Sequence, residues 1–355
     1  MGTILLKNGN IWDGEKFFFS DLLINDGEIA KFAPNINEKA DWCYDASGKI
    51  VSAGFVDIHM HLKNVSSEFF GTQGEASCFP FGVTAAVEAS AIYGDEKILN
   101  SFALKNLVFV STDIKNNKAC FENTEKLLLK YGKKAIGLKL FFDTTGGEVS
   151  DITPLKEVCD FAHKRNLKVM VHSSNSPVKM SELLSVLEKG DILTHAYHGG
   201  LNNSSEDNFE SLKRAKERGV IIDVGFAGFV HTDFTVFKSA MENNALPNTI
   251  STDLTKLSVF KRGGNYGMTM CMNMAGYMGM SKEDIFRSVT SSPAKAVGKE
   301  KEWGYIKEGR TADIAVVGIA DEGFDLTDKA GNNIKSDKGY RAFVTISNGE
   351  VVFRR

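Results

Sequence analysis

The sequence predicts an α/β protein: a (β/α)8 TIM-type barrel with a small β-sandwich domain assembled from both ends of the chain. Three observations lead there. Through the middle of the 355 residues, eight short β-rich runs alternate with amphipathic helical stretches. Both ends instead read as strands joined by turns. Ionisable residues interrupt the apolar runs mainly at the strand ends, where a barrel gathers its chemistry at one mouth.

The first fifty residues run TILLKNGNIW, DLLINDGEIAKF and DWCYDASGKIV, and NGN, NDG and SGK supply turn glycines of the kind hairpins favour. KFFFSD among them reads as packing or an edge strand. The last fifty return to this style in GYIKEGRTADIAVVGI and RAFVTISNGEVVFRR. Residues 1–52 and 303–355 are therefore assigned to the small domain and 53–302 to the barrel. Barrel strands are expected at 55–61, 83–90, 107–112, 135–142, 167–174, 191–197, 220–226 and 249–254. Helices such as TPLKEVCDFAHKRN and NFESLKRAKERG fall between them. MTMCMNMAGYMGM reads as a core helix, because methionine fills irregular apolar gaps. The competing doubly wound sheet would want a GxGxxG turn after the first strand, and the sequence has none there.

Bulk properties narrow the function. A net charge of -3 provides no basic field for nucleic acid. No window of about 18 apolar residues is present to span a membrane, and the N-terminus lacks the apolar core of a signal peptide. Five cysteines without a CxxC pair read as reduced thiols in a cytoplasmic protein. The expected partner is a small-molecule substrate, with a homo-oligomer as the default assembly.

The candidate site begins at GFVDIHMHLK. His59 and His61 lie two positions apart, and residues i and i+2 of a strand point to one side, so both imidazoles converge. Lys139 sits within GLKLFF, His172 ends VMVH, His195 ends ILTH and Asp253 ends ISTD. At the C-terminal ends of five barrel strands these six groups would meet over one mouth. Four imidazoles and a carboxylate suit zinc or a similar divalent ion. Lys139 does not, since an ammonium with a reference pKa of ~10.4 repels a cation. It fits only as a charge partner or with an anionic group added to its nitrogen. Asp57 reads as a supporting carboxylate, His163 as a surface residue, and Asp253 has the alternative of capping the next helix. Tyr197, His198, His231 and Arg262 fall in loops at the same face, and Lys63 follows the second histidine closely. These five are substrate-contact candidates.

DIHMH, GLKLFF, VMVH, ILTH and STD, in this order, resemble the signatures of the amidohydrolase superfamily in its binuclear branch, and the likeness extends to SSPAKAVG and GYIKEGRTADIAVV. The resemblance implies a hydrolase with two divalent metal ions, zinc first among the candidates. It implies that Lys139 is carboxylated by carbon dioxide into a carbamate bridging both ions. His59 and His61 would hold the buried ion, His172 and His195 the outer one. Asp253 would bind the buried ion and act as base and then acid for a metal-bridging hydroxide. Within the branch, the pattern is closest to deacetylase-like enzymes often labelled dihydroorotase or adenine deaminase. This implies deacylation of a small acylated amino or hydroxy acid. Phe226 and His198 depart from that pattern, standing where a histidine and an asparagine are expected. A cyclic amidase of dihydroorotase or hydantoinase type is the alternative, although Lys63 stands where a dihydroorotase would carry arginine, which lysine does not match as a bidentate grip. A nucleobase deaminase would want a glutamate just after His172, where the sequence has Ser173-Ser174-Asn175. A non-enzymatic scaffold would have lost ligands, and here every position is filled.

Overall fold

A computed structural model describes residues 2–62, 69–92, 103–261 and 266–355. The N-terminal strands are β1 (Ile4–Trp12), β2 (Phe17–Asn25), β3 (Glu28–Ala33), β4 (Trp42–Asp45) and β5 (Ile50–Ala53). β2 and β3 turn at Asp26-Gly27, both with positive φ, as the sequence motif requires. NGN behaves differently. Asn8 is left-handed (φ 60°) inside one continuous β1, where it makes a bulge rather than a hairpin. Gly9 is needed there because a Cβ would stand 2.5 Å from Val51 Cγ2. KFFFSD enters β2, which is an interior strand between β1 and β3, not an edge.

The barrel strands follow: β6 (Phe55–Met60), β7 (Val83–Ala91), β8 (Lys105–Lys115), the short β9 (Lys118–Cys120) paired back onto β8, β10 (Ala135–Phe141), β11 (Lys168–His172), β12 (Ile192–Thr194) and β13 (Ile221–Ile222). Seven of them pair in the parallel order β6-β7-β8-β10-β11-β12-β13. β6 is buried along its whole length, as expected for a parallel strand covered on both faces. Helices Thr153–His163 and Glu210–Glu217 fall on the expected segments, and Met268–Tyr277 is a helix buried through its first two turns.

The eighth strand differs from expectation. Residues 249–254 run extended but form only isolated bridges, Thr249 with Asp223 and Leu254 with Met60. They still close the ring, because Phe226 N donates to Ser251 O (3.0 Å) and His61 N to Leu254 O (2.9 Å). Regular pairing stops where Asp253 turns to φ 47°. β12 and β13 are shortened for the same reason: His195 (φ 60°), Gly225 (φ 52°) and Ala227 (φ 48°) leave the strand conformation early.

The chain ends with β14 (Ile314–Ala320), β15 (Phe324–Thr327), β16 (Asn333–Ser336), β17 (Gly339–Ser347) and β18 (Glu350–Arg354). β18-β17-β14-β5-β1-β2-β3 form one sheet with β4 against β1, so strands from both termini interleave. β17 and β18 turn at Asn348-Gly349. Ile4, Leu22, Ile29, Val51, Ile314 and Val344 share a core that this sheet wraps. Among the described residues, no helix is long and apolar enough to cross a membrane.

Candidate metal centre

His59, His61, Lys139, His172, His195 and Asp253 all line one cavity of about 320 Å³ at the barrel mouth, where the sequence places them. Phe69, Phe70, Phe141, Val230 and Leu257 form its apolar wall. Ligand atoms fall into two groups, His59 with His61 and Asp253, and His172 with His195 and His231, each within 4.8 Å of one another.

The network around His59 decides its tautomer. Asp223 is fully buried and accepts from Thr194 Oγ1 (2.8 Å), Thr249 Oγ1 (2.7 Å) and Ser251 Oγ (2.6 Å). Thr194 thus uses its one proton on Asp223, and its oxygen accepts from His59 Nδ1 (2.8 Å). Nε2 of His59 is left with a lone pair facing the cavity, 3.3 Å from Asp253 Oδ1. It accepts from Lys139 Nζ at 3.1 Å. His195 is set similarly, because Nδ1 donates to the Gly225 carbonyl (2.8 Å) and Nε2 turns toward Asp253 Oδ2 (3.9 Å). His61 Nε2 lies 2.9 Å from Asp253 Oδ1, and its Nδ1 faces Glu88 (3.5 Å). Glu88 in turn accepts from Leu62 N (2.6 Å) and Ser90 N (2.8 Å).

Charge follows from burial and neighbours. Burial, with Lys139 beside it, pushes His59 down to about 4, and burial likewise lowers His172, His195 and His231. Neutral imidazoles are the form that ligates. Burial opposes charge on His61 too, but Asp253 and Glu88 outweigh it and raise its pKa. Burial would raise Asp253, yet His59, His61 and His231 hold it below the ordinary carboxylate range. Asp57 is raised to about 7 by burial; it accepts from Thr252 Oγ1 (2.6 Å) and ties β6 to the closing segment.

These residues fit a pair of cations. His59 and His195 turn the lone pairs of Nε2 to the cavity, and His172 is buried beside them with Nε2 3.4 Å from Asp143 Oδ2. His195 and Asp253 both adopt left-handed φ, a conformation uncommon outside glycine that clusters at functional sites. Asp253 does not cap the following helix; Thr255 Oγ1 accepts from Ser258 N (3.2 Å) and does so instead.

The other candidates separate. Tyr197 is fully buried and donates to Ala245 O (2.8 Å), and His198 is equally buried; neither lines the cavity. Lys63 and Arg262 lie outside the described residues. His231 lines the cavity and packs against the histidines, with its ring 3.9 Å from that of His195. Sequence pattern alone does not single out Asp223 and Glu88. Their signal was present, a carboxylate inside the apolar runs VIIDVGF and VTAAVEAS. Elsewhere Cys159, His163 and Asp191 also gather. Asp191 is committed to Val169 N (2.8 Å), Glu188 N (2.8 Å) and His163 Nε2 (2.8 Å), so His163 is a half-buried tie between a helix and β12, not a free surface residue.

Two outcomes follow from this packing. At Gly225 a Cβ would meet Thr194 Oγ1 at 2.4 Å and His195 Nδ1 at 2.7 Å, and φ is 52°. Gly225→Ala is expected to displace the His195 ring and weaken metal retention about 10- to 100-fold, read by equilibrium dialysis against a chelator. His198 Nδ1 accepts from Gly200 N (3.0 Å), leaving Nε2 buried and unpartnered. Burial, with charge from His172 and Lys329, lowers it to about 4. The unfolded chain protonates this histidine near ~6.5 while the folded chain does not, so stability falls as pH drops from about 6.5 through about 4, on the order of 3 kcal/mol. Urea unfolding of His198→Asn beside the parent chain checks this, because the variant should lose that part of the pH slope.

The chain is similar to known proteins over nearly its whole length. Residues 50–352 match the model of the amidohydrolase family. A deacetylase of Enterococcus faecalis is 25% identical over 98% of both chains. A deacetylase of Agrobacterium fabrum is 26% identical over 88% of this chain and 82% of its own. A crystal structure of a dihydroorotase superposes with a TM-score of 0.86 at 22% identity, covering 99% of each chain, which is a likeness of fold.

Proposed function

The chain belongs to the amidohydrolase family and is a hydrolytic enzyme of that superfamily; on that premise we propose that it is a metal-dependent deacylase, cleaving the amide or ester of a small acylated amino or hydroxy acid. The observation that carries this reading is the pair of donor groups that meet at Asp253 in the floor of one cavity. His59, His61 and Asp253 would hold an inner divalent ion, and His172 and His195 an outer one. Lys139, between them in function, would join both after its neutral amine adds carbon dioxide, releasing one proton and leaving an anionic carbamate. Two such ions, zinc first among them, would lower the pKa of water from 15.7 toward about 7 and polarise the scissile carbonyl.

The chain's own residues do the rest. Asp253 Oδ2 faces the cavity as an anion at neutral pH, so it can accept the proton of the attacking water and return it to the leaving nitrogen or oxygen. Thr194 and Asp223 hold His59 in the ligating tautomer, and Gly225 does the same for His195. Phe70, Phe141 and Leu257 make an apolar wall that suits the apolar part of a small acyl compound. The names of the two deacetylase relatives support an acyl group over a ring amide.

The test is turnover by zinc-loaded, bicarbonate-treated enzyme of N-acyl amino acids of both hands, O-acetyl α-hydroxy acids, dihydroorotate and adenine. Selective hydrolysis of one acyl series is the expected result. Dihydroorotate turnover would replace the deacylase reading with the cyclic amidase, and adenine turnover with the deaminase.

A further inference from the structure

We propose that His231 is a third nitrogen donor to the outer ion, making that position a three-histidine site rather than the pair His172 and His195. The proposal rests on the two-ion reading above and adds a residue from the loop after β13, which sequence patterning treated as a contact for substrate.

The position of His231 is built by its surroundings. The next residue, Thr232, bridges to His198, and Asp233 N donates to Tyr197 O (3.0 Å), so the loop is pinned to the segment that follows His195. Ser174, which is almost fully buried just beyond β11, meets His231 Nδ1 at 3.0 Å. That contact commits one ring nitrogen and turns the other inward. Nε2 then lies 3.7 Å from Asp253 Oδ2, the atom that His195 Nε2 also faces at 3.9 Å. The ring stands 3.9 Å from His195 and 4.8 Å from His172, and the ligand atoms of all three lie within 4.8 Å of one another. His172 is buried beside them, its Nε2 3.4 Å from Asp143 Oδ2. Three imidazoles brought to one point are matched by one cation that takes a nitrogen from each. Metal–nitrogen bonds of roughly 2.0–2.1 Å would draw the three rings closer together. A histidine that only touched substrate would have no need to share a focus with both expected ligands.

Three nitrogens also set a preference. An imidazole-rich outer position favours zinc, copper or nickel over manganese or magnesium, which prefer oxygen. Ser174 is then a positioning residue that orients His231 without touching the ion.

The test counts ions in the zinc-loaded enzyme by mass spectrometry and titrates them with a chelator. His231→Ala, His231→Gln and Ser174→Ala are compared with the parent chain, circular dichroism verifying the fold and glutamine keeping the volume should alanine fail to fold. The expected result is two ions in the parent chain, with one bound about 10- to 100-fold more weakly in each variant. The visible absorption of the cobalt-loaded enzyme should lose the contribution of one ion's nitrogen ligand. Zinc-over-manganese selectivity of the weaker ion should fall in His231→Ala. Two ions retained with parental affinity and an unchanged cobalt spectrum, with only KM raised, would overturn the proposal and leave the two-ion reading intact. A parent chain that holds a single ion would overturn both.

Discussion

Asp253→Asn should abolish turnover while the protein still folds, with kcat lowered about 10²- to 10⁴-fold. Asparagine has nearly the same shape, so the segment that closes the barrel keeps its backbone bond from residue 253 N to His59 O (2.7 Å). It loses the anion. The carboxylate stands 2.9 Å from His61 and 3.3 Å from His59, and those imidazoles hold its pKa down against burial. An amide there accepts no proton and offers a cation only a neutral oxygen. The same substitution should therefore also weaken retention of the inner ion, read by metal content beside kcat. Full activity in Asp253→Asn would remove this carboxylate from proton transfer.

The second large effect is at Lys139. In its amine form, Nζ donates to His59 Nε2 at 3.1 Å, using the lone pair that an inner ion would need. Amine and cation compete there, and carboxylation converts the competitor into an oxygen donor. Lys139→Ala is thus expected to lower both metal content and turnover, by at least about 100-fold in activity. The space left can admit a small carboxylate such as propionate, which should restore part of both. In the parent chain, stripping carbon dioxide should weaken metal binding and bicarbonate should restore it, whereas Lys139→Ala should ignore bicarbonate. Full metal content and full activity in Lys139→Ala would make this lysine a charge partner only.

The legibility of this site in sequence follows from geometry. His59 and His61 were readable because strand alternation puts i and i+2 on one side. Lys139, His172 and His195 were readable because parallel strands end at a common mouth. Asp223 and Glu88 obey the same logic, but a lone carboxylate in an apolar run does not announce whether it faces the cavity or supports a ligand from behind. Their role appears only when Thr194 Oγ1 and Leu62 N are seen to bond them. NGN illustrates the converse, since the same three residues suit a hairpin or a bulge. Val51 packed against Gly9 made it a bulge.

By itself, the sequence determined the barrel, the interleaved terminal sheet and the set of polar strand-end residues, because these depend on periodicity and turn chemistry that each segment carries alone. Tertiary structure decided which loop residues join them. Tyr197, His198 and His231 lie in similar polar or aromatic loop contexts, yet the first two are buried away from the cavity and the third faces His172 and His195. That choice rests on left-handed turns at His195 and Ala227 and on the Ser174 contact. A loop's course is fixed by contacts distant in sequence, and no local pattern encodes them.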